Sequence, residues 1–251
     1  MEKTGNDWHR FGLIGKNIGY SFSKGYFTKK FKDLGLDQHS YENFDLPQIG
    51  DFEALKGQTD TIKGFNVTIP YKEAILPYLT TIDPEAEKIG AVNTIKVEGA
   101  TFTGYNTDVY GFQQSLEPLL QPQHTKALIL GTGGASKAVA YVLKALDIDY
   151  RLVSRRPRTD ELGYDALTEE IMERHTIIVN CTPLGTYPNI SEKPPIPYHF
   201  VHRGHLLFDL IYNPPKTAFL AEGEARGATI SNGLRMLQLQ AERAWEIWTT
   251  P

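Results

Sequence analysis

The sequence predicts an α/β fold with two domains, and three features indicate that class. Its 251 residues suit two modest domains or one large unit, since a domain usually has about 100 to 200 residues. Hydrophobic residues make up 41% of the chain and charged residues 22%, as in globular proteins. Short, nearly continuous apolar runs alternate with helical patterns in both halves, which is typical of mainly parallel sheets covered by helices.

In the first half, three apolar runs between polar turns predict strands: 11–15, 41–44 and 64–69. A helix is predicted over 23–34, because Phe27, Phe31 and Leu34 recur at spacings of four and three. These alternating elements indicate βαβ units.

In the second half, five further apolar runs predict strands: 126–130, 150–153, 176–180, 205–209 and 228–230. A helix over 135–146 separates the first two of these strands. After Gly233, apolar residues at helical spacing predict one long helix to Trp248, which could pack on either half.

Charge and composition exclude several classes of protein. The formal net charge is −4, and the densest basic stretch is only 155–158, so nucleic acid is not an expected partner. No apolar run approaches the roughly 20 residues that a membrane-spanning helix needs. The polar segment 1–7 lacks the apolar core of a secretory signal, and the lone Cys181 cannot form an internal disulfide. We therefore expect a cytoplasmic protein.

A glycine-rich turn between a predicted strand and a predicted helix indicates a dinucleotide site. The turn runs from Gly131 to Ser136, and its candidate cofactor contacts are Gly131, Gly133, Gly134 and Ala135. Glycines allow the backbone to approach a pyrophosphate, which the N–H groups and dipole of the following helix can bind. Such turns also occur without a ligand. The context predicts a Rossmann-type domain.

The end of the next predicted strand favours NADP over NAD. Ser154, Arg155 and Arg156 lie about 20 residues beyond the turn, where an NAD site usually carries an acidic residue. A guanidinium can pair with a 2′-phosphate, whereas a carboxylate would repel it. The alternative is a solvated arginine pair.

Three segments of the first half carry Asn and Thr side chains around predicted strands: 66–72, 90–94 and 104–108. Asn66 and Thr68 alternate, so both should point to one side, and Lys72 follows shortly after. Taken singly, each Asn-Thr pair could equally be a turn or a helix cap.

Together these motifs resemble, in order and over nearly the whole chain, the shikimate dehydrogenase family. Beside the Gly131 turn, the matching segments are Ser21 with Ser23, 66–72, 91–94, 106–108, 180–185, 209–214 and 236–240. Departures from the family pattern are Lys24 where a proline often follows the second serine, Ser154 and Arg156 on either side of Arg155, and Thr186 where a methionine is common.

The resemblance implies a catalytic pair, Lys72 and Asp108. It further implies that Ser21 and Ser23 hold the substrate carboxylate, and that the remaining substrate contacts are Asn66, Thr68, Asn93, Tyr212 and Gln240. We expect the cofactor to contact the Gly131 turn together with Ser154, Arg155, Thr182 and Gly233. Reduction of a ketone leaves an alkoxide that must gain a proton, which an ammonium can donate. Which group of the pair carries the proton stays open.

The implied reaction is the reversible, NADP-dependent reduction of 3-dehydroshikimate to shikimate, on the route to chorismate and aromatic amino acids. The implied domains are a substrate domain, 1–106 with 233–251, and a cofactor domain, 107–232. We expect a monomer or a homodimer. Two alternatives stay open: a dual quinate/shikimate dehydrogenase, which usually prefers NAD, and a catalytically silent NADPH- or shikimate-sensing protein.

Three histidines at intervals of three, His199, His202 and His205, raise the possibility of a metal site. They flank Gly204 and enter a predicted strand, whose period of two should make the rings diverge. We therefore expect no metal.

Overall fold

A computed structural model describes residues 8–19 and 21–250. Segment 1–7, on which the expectation about a secretory signal rests, lies outside these residues. The strands are β1 His9–Gly15, β2 His39–Asp45, β3 Ile62–Val67, β4 Thr81–Ile82, β5 Thr94–Glu98, β6 Thr101–Tyr105, β7 Lys126–Leu130, β8 Asp149–Ser154, β9 Leu162–Gly163, β10 Ile177–Asn180, β11 Leu206–Asp209 and β12 Thr229–Ser231. The helices are α1 Phe22–Asp33, α2 Glu53–Lys56, α3 Tyr71–Ala74, α4 Pro84–Ile89, α5 Thr107–Leu116, α6 Gly134–Ala145, α7 Glu169–Arg174, α8 Ala218–Glu224 and α9 Leu234–Thr249.

These elements form two compact units, each with a six-stranded sheet. The first unit contains the described residues up to Thr107 and those from Gln240 onward, and the second is Asp108–Leu239. The boundary between Leu239 and Gln240 therefore falls inside helix α9. The predicted α/β class with mainly parallel sheets is confirmed.

The sheet of the first unit has the strand order β2-β1-β3-β5-β6-β4. Strand β1 pairs in parallel with β2 and β3, as the βαβ pattern predicts. Strands β5 and β6 form an antiparallel hairpin that the apolar runs did not predict. In β6 the buried Phe102 and Gly104 alternate with Thr101, Thr103 and Tyr105, and in β5 Lys96 interrupts the buried positions, so no continuous apolar run marks the hairpin.

Helix α9 ends against the sheet of the first unit. Trp248 lies over Gly64, where a Cβ atom would come within 2.2 Å of the indole nitrogen. That nitrogen donates a hydrogen bond of 3.0 Å to the carbonyl of Ile95. The indole also packs against Phe11 and Phe27, so a glycine on the sheet and an aromatic cluster together hold the last turns of α9.

The sheet of the second unit is parallel throughout, with the order β12-β11-β10-β7-β8-β9. Its inner strands are buried on both faces, as continuous apolar runs predict: Ala127, Leu128, Ile129 and Leu130 are each fully buried. Parallel strands present their carboxyl ends along one edge. The Gly131 turn, Ser154 and Asp209 therefore share that edge.

The predicted long helices are displaced by about one residue at their ends, a shift within the usual uncertainty of helix boundaries. Among the helices of the described residues, none is both long and apolar enough to cross a membrane.

Candidate functional site

Ser21 is the N-cap of helix α1. Its backbone is extended, and its hydroxyl oxygen accepts a hydrogen bond of 3.2 Å from the backbone N–H of Lys24. A proline at position 24 could not donate this bond, so the lysine found there suits a serine cap. Ser23 lies on the first turn of the same helix and is half-buried.

Tyr41 connects two predicted substrate residues. Its phenol is hydrogen-bonded with Ser23 and donates to Oδ1 of Asn66 over 2.8 Å. Burial raises the pKa of Tyr41 far above its usual value, and the bond with Ser23 opposes that rise. The phenol therefore stays protonated and keeps its role as a donor to Asn66.

The amide of Asn66 is held at both ends. Its Nδ2 donates to Oγ1 of Thr94 over 3.1 Å, while its Oδ1 accepts from Tyr41. This arrangement fixes which end of the amide is donor and which is acceptor. The side chain is therefore oriented before any ligand binds.

Asn93 uses its amide oxygen to hold the start of helix α5. Oδ1 accepts from the backbone N–H of Thr107 over 2.7 Å and from the Thr107 hydroxyl over 3.2 Å. Nδ2 of Asn106 donates to the carbonyl of Ala91 over 2.9 Å. The capping interpretation is thus partly right, but Asn93 caps a distant segment rather than its own turn.

These side chains form one connected group, which we call the amide cluster. Three members are predicted substrate residues, and the other three were missed by the sequence analysis. Thr94 and Thr107 belong to the Asn-Thr pairs that the sequence singles out, whereas Tyr41 resembles any strand aromatic. The amide cluster consists of Ser23, Tyr41, Asn66, Asn93, Thr94 and Thr107.

Lys72 lies in helix α3 and is half-buried. Its backbone carbonyl accepts a bond of 2.8 Å from the N–H of Val92, next to Asn93. The N–H of Thr68 donates to Ile14 on strand β1 over 2.8 Å. Backbone pairing therefore anchors both segments beside β1 and the amide cluster. Gln240, on helix α9 in the same unit, is half-buried.

Asp108 lies in the first turn of helix α5 and is 2% exposed. A carboxylate at a helix N-terminus is favoured by the helix dipole. The residue begins the second unit, whereas Lys72 belongs to the first. Their pairing stays a prediction.

The Gly131 turn has the features that a pyrophosphate site needs. Gly131 has φ +106, and a Cβ there would lie 3.2 Å from a methyl of Thr182. Gly133 precedes helix α6 without a side-chain cap, and a Cβ there would meet no described atom within 4 Å. The first N–H groups of a helix lack partners inside it, so Gly134 and Ala135 can offer theirs to an anion.

A pocket of about 460 Å³ beyond strand β8 is lined by Ser154, Arg155 and Arg156. The Ser154 hydroxyl accepts a bond of 3.2 Å from the Arg156 N–H, which shapes the turn. Both arginine side chains are exposed. Two cations around an open pocket fit a 2′-phosphate, so the donor set of this edge fits NADP.

A second polar group, which we call the carboxylate cluster, lies at the ends of β10 and β11. Asp209 accepts from Nδ2 of Asn180 over 3.0 Å and from the hydroxyl of Thr217 over 2.5 Å. Oδ1 of Asn180 in turn accepts from the hydroxyl and N–H of Thr182. These four side chains are the carboxylate cluster, which positions Thr182 beside Gly131.

Asp209 is fully buried, and burial raises its pKa to about 6. Hydrogen bonds from Thr217, Ile211 and Asn180 act against that rise. The sequence places Asp209 in a family segment but gives no sign of this shift.

Gly233 has a packing requirement of its own. A Cβ there would lie 2.1 Å from the carbonyl oxygen of Leu210. The backbone N–H of Gly233 donates to the carbonyl of Ile211 over 3.0 Å. The contact explains the glycine without a ligand, and its cofactor role stays a prediction. Tyr212, in the loop that follows β11, is half-buried.

The prediction that the three histidine rings diverge is wrong for two of them. The rings of His202 and His205 lie 4.3 Å apart, because 202–205 form a turn rather than the start of a strand. Backbone N–H groups donate to Nδ1 of both rings, so these nitrogens are already used. Among the described residues, no group of three or more candidate ligands could hold a metal ion.

Comparison with known proteins gives concordant matches. Residues 13–95 match the family model described as the shikimate dehydrogenase substrate binding domain. The chain is 41% identical to a curated Clostridium botulinum protein named shikimate dehydrogenase (NADP(+)), over 94% of this chain and 95% of that protein.

Solved structures agree with that match. The shikimate 5-dehydrogenase of Thermus thermophilus, in complex with NADP(H) and shikimate, is 32% identical with a TM-score of 0.85, covering 96% of this chain and 93% of that one. Quinate dehydrogenase from Corynebacterium glutamicum, in complex with NAD, is 26% identical with a TM-score of 0.83, covering 96% and 94%.

Proposed function

Because the chain belongs to the shikimate dehydrogenase family, we propose that it catalyses the reversible, NADP-dependent reduction of 3-dehydroshikimate to shikimate. The observation that carries this proposal is the amide cluster. A ring that bears several hydroxyls needs amides and hydroxyls of fixed orientation, and Asn66 and Asn93 are oriented by neighbours within the protein. On the route to chorismate and aromatic amino acids, this enzyme supplies shikimate.

In this proposal Ser21 and Ser23 bind the substrate carboxylate. The Tyr41 phenol gives its hydrogen to Asn66, so the Ser23 hydroxyl donates to Tyr41 before substrate binds and turns its hydrogen to the carboxylate when substrate is present. The remaining contacts, to the ring hydroxyls and the carboxylate, come from Asn66, Thr68, Asn93, Tyr212 and Gln240. The cap bond uses an oxygen lone pair of Ser21, so its O–H can still donate to a substrate.

Lys72 donates the proton that the reaction consumes. A proton leaves its ammonium for the ketone oxygen as that oxygen becomes an alkoxide, which leaves a neutral amine, and the amine takes the proton back in the reverse reaction. Asp108, as a carboxylate, would stabilise the ammonium and hold it in position.

NADPH, when bound, supplies the hydride that the ketone carbon receives. Gly131, Gly133, Gly134 and Ala135 would hold its pyrophosphate, and Ser154 and Arg155 its 2′-phosphate. Thr182 and Gly233 would border the cofactor, with Thr182 positioned by the carboxylate cluster.

The proposal includes a cytoplasmic enzyme that acts as a monomer or a homodimer, with no nucleic-acid partner. Its single cysteine cannot form an internal disulfide, which suits a reducing compartment. The first unit would be the substrate domain and the second the cofactor domain.

The test is an absorbance assay at the nicotinamide band with purified protein, crossing shikimate and quinate against NADP and NAD. We expect turnover chiefly with shikimate and NADP. Comparable turnover of quinate with NAD would favour the dual dehydrogenase. Binding of NADPH or shikimate without turnover in any combination would favour a sensor and overturn the proposal.

A further inference from the structure

A second pocket of the second unit opens at the amino-terminal ends of β7 and β8, away from the Gly131 turn. Its volume is about 450 Å³. At about 3.3 Å per residue, strand β7 separates it from the turn by roughly 13 Å. The lining side chains that carry a charge or a ring nitrogen are Lys126, Asp149, Arg151, Glu170, Arg174 and His175.

Two of the three cations have carboxylate neighbours, but these pairs are weak. Nζ of Lys126 lies 3.7 Å from the Asp149 carboxylate, which is 82% exposed. A guanidinium nitrogen of Arg174 lies 3.2 Å from Glu170, and both side chains are largely exposed. Exposed ion pairs contribute little to stability, so a bound anion can displace either carboxylate from its cation at little cost.

Arg151 has no carboxylate partner within the described residues. It lies on β8, two residues beyond Asp149, and its side chain is exposed. The pocket therefore has an uncompensated positive charge on the side chain whose paired N–H groups best match the oxygens of carboxylates and phosphates.

His175 adds a group whose protonation can follow anion binding. Its Nδ1 lies 2.7 Å from the carbonyl of Ile171, and since a carbonyl only accepts, Nδ1 carries the hydrogen. Burial, and then the charges of Lys126, Arg151 and Arg174, lower the pKa of His175. An anion placed among these cations would cancel their effect and favour protonation of Nε2.

We propose that this pocket binds a compact oxyanion with two or more negative charges, a phosphate or a small polycarboxylate. Arg151 is its main contact, and Lys126 and Arg174 turn from their weak pairs toward it. The pocket and the Gly131 turn lie at opposite ends of β7, so dinucleotide and oxyanion can bind together. This proposal does not depend on the proposed catalytic function.

The test follows the His175 ring by NMR in the full-length protein, with His175→Gln to assign its signals. The pH titration is run with inorganic phosphate, with citrate, and with sodium chloride at matched ionic strength. Phosphate or citrate should raise the pKa of His175 by about half a unit or more above the chloride value. A rise with phosphate alone identifies a phosphate site, with citrate alone a carboxylate site, and with both a general oxyanion site.

Two matched variants complete the test. Arg151→Gln should abolish the anion-dependent rise, and since Arg151 is exposed the variant should fold normally. Arg203→Gln removes another exposed arginine of the same unit, outside the pocket, and should leave the rise intact. No rise with either anion, or an undiminished rise in Arg151→Gln, would overturn the proposal.

Discussion

In the first unit the amide cluster contains only hydroxyl and amide side chains, whereas the carboxylate cluster of the second unit is centred on the acid Asp209. Both clusters lie near strand ends and connect segments that are distant in sequence. Three of the six side chains in the amide cluster are predicted ligand contacts. In the carboxylate cluster, one of four is, namely Thr182.

The difference separates two uses of buried polar groups. In the proposed function the amide cluster orients donors and acceptors toward the hydroxyls and the carboxylate of the substrate, and none of its members titrates near neutral pH. The carboxylate cluster holds a loop at the cofactor edge by placing several hydrogen bonds on one buried acid. We therefore expect substitutions in the first unit to change substrate handling, and substitutions in the second to change cofactor binding or stability.

The largest effect should come from Lys72→Ala, which tests whether chemistry belongs to the first unit. A positioned general acid typically contributes 10²- to 10⁴-fold, so kcat should fall by about two to four orders of magnitude, with a much smaller change in shikimate affinity. NADPH affinity, measured by fluorescence, should stay unchanged. Lys29→Ala, at an exposed site on helix α1, is the control. An enzyme that keeps kcat and loses only shikimate affinity would make Lys72 a binding contact.

Asp108→Asn extends that test to the predicted pair. It should also lower kcat, but the double variant with Lys72→Ala should be little worse than the poorer single variant, because a coupled pair acts as one unit. Additive losses in the steady-state assay would show that the two residues act independently.

The carboxylate cluster should give the molecule a pH-dependent stability that the amide cluster does not. Asp209 has a pKa of about 6 in the folded protein against an ordinary value of 3.8, so the folded state holds this proton more tightly. The protonated Asp209 contributes about 3 kcal/mol to the free energy of unfolding below about pH 4, and this contribution is lost as the pH rises through 6.

Asp209→Asn should therefore gain stability relative to the parent protein between pH 4 and pH 8, as measured by urea unfolding without ligands. Asparagine can keep the bonds from Asn180 and Ile211 through its oxygen and can donate to Thr217 through its nitrogen. Asp160→Asn, at an exposed position, should show no such trend. A constant difference across the pH range would mean that Asp209 ionises normally.

Arg155→Ala tests the cofactor side of the comparison and has a smaller expected effect. Loss of a charge-assisted hydrogen bond, worth about 1.5 to 3 kcal/mol, should weaken NADP by roughly ten- to a hundredfold and barely change NAD. Arg158→Ala is the neighbouring control. Equal losses for both dinucleotides in a binding titration would remove Arg155 from the 2′-phosphate site.

The sequence predicted those strands and turns that a few consecutive residues determine. The runs of β7 and β10 are apolar because both faces of an inner parallel strand are buried, and Gly131 marks a turn with positive φ. Both signals lie within a few consecutive residues, so they can be read without a structure.

The features that the sequence missed depend on contacts between distant segments. The raised pKa of Asp209 requires its burial at the carboxyl end of β11, and the contact of His202 with His205 requires a turn in place of a strand. Tyr41 binds Asn66 although 25 residues separate them. A single sequence contains no pattern that marks such contacts.

The smallest predicted effect is also the most specific test of the amide cluster. Tyr41→Phe removes one hydroxyl from a buried ring of nearly the same shape, so Asn66 loses the donor that fixes its Oδ1. One neutral hydrogen bond contributes about 0.5 to 1.5 kcal/mol, so KM for shikimate should rise about two- to tenfold, with kcat less affected.

Tyr71→Phe is the matched control, since the buried hydroxyl of Tyr71 donates to the carbonyl of Leu46, outside the cluster. Both variants should lower the melting temperature slightly, because each loses a buried bond. Only Tyr41→Phe should change KM, and an equal change in both would mean that Tyr41 stabilises the fold without orienting Asn66.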